Sequence, residues 1–574
     1  MGPNVRYQPA SKADTCPNVG LGRSSRLECL GVQDGAATDA PEFSEAERAL
    51  LARYLTNTDR RVFALRNLPE VVKGALFSRY SRTEKSLRRV LLDEFLSNPA
   101  AGIAPEPRGS DDLVDVARGE DFYERVLVGY GDDSVAELAG AHVAVEQVSN
   151  LAAKALEDSR IGISPLEKST RYVRFDRRGS DRLFPYHRGP ELAHPAYLPA
   201  MDALFSAYSE MVAPLIDNVR EAHPREAGET ERAWKSATRA KALDLLRGLL
   251  PASTLTNLGL YGNGRAFEYL LTKLAASDLP ECRDLAGEMH AELGQVIPAF
   301  VRRALDDRYG APAAAYMATA RSRAAGLAPR QDSPLPVPAS VGLVDFDTDA
   351  ERRVVAAALF PYSDLPLDEL QGLDLDVEAV MSALMEERAN RRHRAPRALE
   401  QTHYTFEITA NFGAYRDLQR HRMLSQQRQL LGTSLGYDVP AELTAYGMAE
   451  RFHSAVEQAA GAHKILEDAL GPTLAQYSVP LAFRLRWYFR ASLREVYHLC
   501  ELRSGPEGHT DYRHVAQEMF RRVREVHPRL VAHARFVDLG SGDQLARRAS
   551  ERRIDRKLTE LAGSTSPSRS PLAE

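Results

Sequence analysis

Arginine, histidine and arginine stand in succession at Arg420-His421-Arg422, inside AYRDLQRHRMLSQQRQLLGTSLGY. Guanidinium groups keep their charge at any working pH and grip carboxylate or phosphate oxygens bidentately, so two of them beside an imidazole suit an anionic ligand. On spacing alone the plainer reading is a basic helix face in water. Taken one at a time, other chemistry-bearing residues have equally plain readings. Arg265 and Arg494 pass for helix-surface arginines, His498 for packing on an apolar helix face, and Glu167 for a solvated loop acid. His403 and Glu407 have helical spacing but no third metal ligand. Gly262-x-Gly264 lacks the strand-turn-helix context of a phosphate loop. Cys16, Cys29, Cys282 and Cys500 have no metal-ligand spacing, so reduced thiols are expected, with neither zinc nor a cysteine nucleophile.

The elements around these residues occur twice. A Pro-rich stretch, AGLAPRQDSPLPVPAS, reads as a linker over residues 326–340, between a first copy at 43–325 and a second at 341–562. Residues 1–42 and the tail 563–574 lack periodicity and read as disordered. Each copy opens on amphipathic helices, EAERALLARYL or DAERRVVAAALF. An acidic-apolar stretch then leads into a helix: SVAELAGAHVAVEQVSNLAAKAL in one copy, RALEQTHYTFEITANFGAYRDL in the other. STRYVRF is a strand candidate in the first copy. Both copies then carry a Leu-Pro or Val-Pro element before an arginine-bearing helix. They close on similar helices, ECRDLAGEMHAEL and DYRHVAQEMFRRV. A shared order of this kind marks an internal duplication.

The chain has 574 residues, too many for one ordinary core, with 74 basic against 79 acidic side chains. A net charge of −5 argues against nonspecific nucleic-acid binding and leaves room for a local basic pocket. No apolar run is long enough to span a membrane, and the N-terminus lacks an apolar signal core, which favours the cytoplasm.

Together these residues resemble the flavin-dependent thymidylate synthase family, whose signature is Arg-His-Arg, seven residues, Ser, and Arg two positions later. The resemblance covers nearly the whole body, once per copy. It implies an α/β fold, more narrowly α+β and helix-rich, in two tandem domains, each a small twisted sheet packed with helices. It also implies methylation of dUMP to dTMP with methylenetetrahydrofolate, FAD carrying reducing equivalents from NADPH, and sites built between subunits. In the first copy, Glu167, Ser169, Arg171 and Tyr172 match the family's nucleotide-contacting Glu-x-Ser-x-Arg-Tyr. Arg247, four residues before Pro251, matches a further nucleotide arginine. Asn263 and Arg265, with Ser134 and Glu137, match segments that contact or lie near the flavin. Asp158-Ser159-Arg160 replaces Arg-His-Arg, and Asp132 replaces a family histidine.

The second copy resembles the family in the opposite half of the site. Arg420, His421 and Arg422 match in full, Glu400 precedes them at family-like spacing, and Arg494, His498 and Arg503 match the late helix. Leu430, Gly432 and Gln476 stand where Ser, Arg and the Leu-Pro arginine belong, and Asp417 replaces a glutamine that faces the nucleotide. The resemblance therefore implies one composite site. Arg171, Arg420 and Arg503 would be catalytic, and Glu167, Ser169 and Arg247 would bind nucleotide beside them. Ser134, Glu137, Asn263, Arg265, Glu400, His421, Arg422, Arg494 and His498 would lie at the cofactor. A homodimer of this chain would imitate the family's tetramer. Fixed cationic donors would stabilise charge building on the pyrimidine oxygens, in place of a cysteine nucleophile. The rivals are a non-catalytic binder of flavin or nucleotide, methylation of another pyrimidine or RNA, and a ligand-free scaffold.

Overall fold

The computed structural model describes residues 43–59, 63–70, 72–73, 76–77, 85–96, 137–159, 161–176, 183–329, 337–541, 545 and 547–564. Of the segments expected to be disordered, 1–42 and 565–574 lie outside them, as do Cys16, Cys29, Asp132, Ser134 and Arg160, whereas Gly563 and Ser564 end a helix, Arg548–Ser564. Contacts divide the chain into two units, Met1–Ala64 and Leu65–Glu574. In the first, Ser44 and Glu47 close a capping box on the helix Glu45–Tyr54. Everything below belongs to the second unit.

The fold is α+β, with two small antiparallel sheets among helices. The first sheet has the order β1-β3-β2, with β1 at Gly140–Ser149, β2 at Ile163–Glu167 and β3 at Leu255–Asn263. The second has the order β4-β5-β7-β6: β4 at Ser340–Phe346, β5 at His403–Asn411, β6 at Ser425–Arg428 and β7 at Arg484–Ser492. Without the edge strand β4 the two orders are the same. β3 and β7 bury every second residue: Thr256, Leu258, Leu260 and Gly262 in one, Leu485, Trp487, Phe489 and Ala491 in the other.

Four strands run straight into helices, each through a residue whose side chain accepts a first-turn backbone N–H. Ser149 caps Asn150–Glu157, Asn263 caps Gly264–Ala275, Asn411 caps Phe412–Leu418 and Ser492 caps Leu493–Arg503. With no loop between strand and helix, the first helical turns are held rigidly at the sheet ends.

Several expectations are corrected here. The acidic-apolar stretches are strands β1 and β5 before they become helices, so His403 and Glu407 share a strand rather than a helix. STRYVRF is a turn, not a strand. The Ser169 hydroxyl accepts the Arg171 N–H at 3.3 Å and the Ser169 carbonyl accepts from Val173, which outweighs the β-propensity of Tyr-Val. The strand lies just before it, in ISPLE. A strand does precede Gly264, but Asn263 spends its side chain on the Ala266 N–H, and no phosphate loop intervenes.

An internal pseudo-two-fold joins the copies at their Leu-Pro and Val-Pro elements. Ala252 N donates to Val479 O and Leu481 N to Leu250 O, both at 2.9 Å. One step outward, Ser253 N donates to Tyr477 O and Ala482 N to Gly248 O, both at 3.0 Å. Such reciprocal pairing characterises an isologous dimer interface, here within one chain. Helices Tyr197–Ala222 and Ala449–Leu470 pack on each other across the same axis. The duplication therefore folds as a covalent dimer, and each copy lays its Pro element beside the other's strand-helix junction.

Candidate functional site

That junction brings opposite halves of the constellation together. Glu167, the last residue of β2, is fully buried and accepts from Arg416 Nη2 at 2.7 Å, Arg420 Nη2 at 2.7 Å and Lys154 Nζ at 3.0 Å. Burial alone would raise its pKa, but Arg416, Lys154 and Arg420 hold it far below the usual carboxylate range. Lys154 also pairs with buried Glu157, which accepts from Gln419 Nε2 at 3.2 Å. Glu167 is thus no solvated acid. Its oxygens fix Arg420 of the other copy.

Arg420 in turn reaches a second cluster, centred on Asp417. Burial pushes the Asp417 carboxyl up, and Arg247, Arg171, Arg420 and Arg503 together hold it far below its ordinary value. Arg247 Nη1 lies 3.1 Å from Asp417 Oδ2. Gly413 lets it in, since a Cβ there would sit 3.1 Å from Arg247 Nη2. Arg171 pairs with Asp244 at 3.0 Å and donates to the Glu507 carbonyl at 3.2 Å. The guanidinium carbons of Arg171 and Arg503 lie 5.6 and 5.5 Å from the centre of the Tyr512 ring. Two buried nitrogens here, Arg171 Nη2 and Arg247 Nη2, have no hydrogen-bond partner. Buried donors are almost always satisfied, so idle ones in adjacent arginines mark a place for an anion.

Beside this cluster the second copy opens a cavity of about 1010 Å³, large enough for a dinucleotide-sized ligand. Eight arginines line it, among them Arg420, Arg422, Arg490, Arg494 and Arg503. His421 sits in its wall and accepts from Arg503 Nε at 3.0 Å through Nε2, so its Nδ1–H donates to Glu495 at 2.7 Å. His498 lies 5.4 Å from it, ring to ring, and Arg494 pairs with Glu400 at 2.6 Å. Arg422, in the same wall, donates to Ser164 of the first copy at 2.7 Å.

His421, Glu495 and His498 offer ligand atoms within 4.8 Å of one another. The Arg503 donor on His421 and the surrounding guanidinium charge make that group a poor divalent-cation site. Cys282 and Cys500 are buried, which pushes their thiols up, to about 12 for Cys282, and makes them weak nucleophiles.

The structure thus gathers Glu167, Arg171, Arg247, Arg420 and Arg503 in one region, with Ser169 shaping the turn that carries Arg171. Glu400, His421, Arg422, Arg494 and His498 line the adjoining cavity. It does not bring Glu137, Asn263 and Arg265 to that cavity. Arg265 pairs with Glu137 at 2.8 Å, the first copy's counterpart of Arg494 with Glu400, and Ser134 lies outside the described residues. Lys154, Glu157, Asp244, Arg416, Gln419, Glu495 and Tyr512 join the networks without having been singled out in the sequence. Lys154 within the apolar run NLAAKALE, and Arg416 four residues before Arg420, were the available signals.

The sequence profile described as Thymidylate synthase complementing protein matches residues 90–299 and again 342–529, more than half of the chain. The chain belongs to that family. It carries the family's unit in duplicate. UPF0159 proteins of Chlamydia muridarum and Thermoplasma acidophilum are 43% and 33% identical, over 88% and 82% of this chain and 97% and 95% of their own. A flavin-dependent thymidylate synthase of Geobacter sulfurreducens is 27% identical over 35% of this chain and 87% of its own length. Among solved structures, a UMP/dUMP methylase of Streptomyces cacaoi covers 36% of this chain and 98% of its own, at 19% identity and a TM-score of 0.29. No helix among the described residues is long and apolar enough to cross a membrane.

Proposed function

We propose that this family member methylates dUMP to dTMP, with methylenetetrahydrofolate as carbon donor, FAD as hydride carrier and NADPH as reductant, at one composite site per chain. The observation that carries the reading is the pair of idle, buried donors, Arg171 Nη2 and Arg247 Nη2, beside Arg420 and Arg503 of the other copy. Arg171 and Arg247 bind the nucleotide's oxygens. Arg420, oriented by Glu167, and Arg503, oriented by His421 and Tyr512, stabilise negative charge as it develops on the pyrimidine. The cavity suits a flavin dinucleotide in size and charge: Arg422, Arg494, His421 and His498 would hold its pyrophosphate and ring system, and Glu400 positions Arg494. Bound flavin would supply the hydride. A homodimer belongs to the same proposal, and only there could Glu137, Asn263 and Arg265 of one chain approach the cavity of the other.

Asp417 favours a second reading, a non-catalytic binder, because its carboxylate already neutralises part of the arginine cluster. Two measurements decide. About one FAD per chain in saturated, desalted protein is expected, and dTMP should form when dUMP, methylenetetrahydrofolate and NADPH are supplied. Two FAD per chain would mean that both pseudo-equivalent sites survive. No FAD in folded protein overturns the flavoenzyme reading, and FAD without product leaves the binder.

A further inference from the structure

We infer that Arg547, in the turn that opens a C-terminal helix beyond the residues the family profile matches, is a further anion-binding residue of the nucleotide site, acting beside Arg171. The inference rests on the nucleotide reading above. The profile's second match ends at 529, whereas the helix Arg548–Ser564 follows and returns to the first copy. Its docking is extensive. Arg548 pairs with Glu226 and with Glu229 at 3.3 Å, and donates to the Pro224 carbonyl at 2.8 Å. Arg552 reaches Glu226 at 2.7 Å, Arg232 holds Asp555, and Leu545 is buried just before the helix. Arg547 is therefore held by neighbours on both sides.

Its guanidinium carbon lies 4.6 Å from the centre of the Tyr172 ring, next in sequence to Arg171, and it donates to the Tyr172 hydroxyl. The Glu507 carbonyl accepts a hydrogen bond from Arg171 Nη1. The Glu507 carboxylate is bound by the C-terminal helix through Arg553 at 2.7 Å and Ser550 at 3.3 Å. Arg547 is thus held on the residue next to Arg171, within reach of its charge, and each guanidinium has a buried nitrogen without a partner, Arg171 Nη2 and Arg547 Nε. Burial, and then Arg171, push the Arg547 guanidinium down to about 10, and Glu551 offsets this only in part. Glu551 is itself shared with Arg232 at 3.7 Å. Arg171 already has Asp244 at 3.0 Å, whereas Arg547 faces a like charge with an idle donor and only a share of Glu551, which describes a site completed by an anion such as a nucleotide's phosphate.

The test titrates dUMP and 2′-deoxyuridine into wild type, Arg547→Gln, Arg547→Lys and Arg552→Gln by calorimetry, and follows Tm with inorganic phosphate. Loss of one charge-assisted contact should weaken dUMP binding by roughly tenfold to a hundredfold in Arg547→Gln. Deoxyuridine binding should be unchanged, Arg547→Lys should recover part of the loss, and Arg552→Gln should bind dUMP normally. The proposal is overturned if Arg547→Gln binds dUMP within twofold of wild type. It is equally overturned if Arg552→Gln loses as much, since helix docking would then be the cause. If wild type ignores dUMP yet gains Tm from phosphate only while Arg547 is present, the nucleotide reading fails and the anion site stands. If neither probe binds wild type, both fail.

Discussion

The pseudo-two-fold sets two equivalent junctions side by side, one centred on Arg247 and the other on Gln476, each four residues before the shared proline. At Gln476 both amide atoms are bonded. Its Oε1 accepts from Leu431 N at 3.0 Å and Arg428 Nη1 at 3.4 Å, and its Nε2 donates to Thr473 O at 3.0 Å. Beside it Glu281 is buried under Ser149 and Tyr477, both within 2.8 Å. At Arg247 the counterpart acid Asp511 remains 34% exposed, and donors are left idle. The same backbone frame carries a bonded amide at Gln476 on one side and guanidinium donors without partners on the other. The idle donors at Arg247, unlike the bonded amide at Gln476, are available to an anion.

The largest expected effect breaks that comparison most directly. Arg171→Ala and Arg420→Ala should each weaken dUMP binding by more than about a hundredfold, since each removes a charged partner from a desolvated cluster. Asp158→Ala, at the first copy's Arg-His-Arg position, should bind normally. Calorimetric titration of the three variants checks this. Normal binding by either arginine variant would mean that the junction at Arg247 is as closed as the one at Gln476.

Glu167→Gln addresses the frame rather than the ligand. Removing the carboxylate leaves Lys154, Arg416 and Arg420 without their shared partner, at a cost of about 3–5 kcal/mol in denaturant unfolding. The pH dependence has a definite sign. Folding lowers the Glu167 pKa from an ordinary 4.5, so the folded state binds fewer protons. Its contribution is complete above that value and is lost as the pH falls below it. Wild type should therefore destabilise steeply in acid, and Glu167→Gln should show a shallower slope over the same range. Equal slopes would shift the acid sensitivity to Asp417, whose ordinary value of 3.8 is likewise lowered.

The sequence showed the duplication, the α+β class and the complementary split of residues, because spacing around Pro251, Pro480 and the Arg-His-Arg run survives in one dimension. It did not show strands β1 and β5. Each runs without a loop into a capped helix, so the periodicity changes from two to 3.6 with no turn residue to mark the boundary. Nor did it show which arginines are spoken for. Arg416 is consumed by Glu167 from a different copy, 249 residues away. Arg547 lies outside every matched motif and reaches Tyr172 only because a terminal helix folds back. Contacts between copies leave no local trace.

Asp417→Gln sharpens the comparison by restoring the amide that the resemblance expects. With one negative charge removed from among Arg171, Arg247, Arg420 and Arg503, dUMP should bind about tenfold more tightly. Its affinity should also fall more steeply with added salt. The carboxylate has an opposing role, since it lies 3.1 Å from Arg247 and helps place it. Weaker binding in the variant would show that positioning outweighs neutralisation, and that the aspartate completes the site rather than dampening it.

The smallest expected effect compares the paired arginines of the two copies. Arg494 and Glu400 stand in the cavity wall with side chains 30% and 31% exposed, and Arg494 is further fixed by the Ala395 carbonyl at 2.8 Å. Arg265 and Glu137 make the same pair at 52% exposure each, away from that cavity, where solvent screens most of the attraction. Arg494→Ala should weaken FAD binding by about tenfold, the loss of one charge-assisted bond. Arg265→Ala should weaken it by no more than about threefold, as expected for an exposed pair. Flavin fluorescence titration separates the two. Equal losses would mean that a second chain brings its first copy to the cavity, making the dimer part of the cofactor site. With no loss from either, the cavity arginines must serve some other anion.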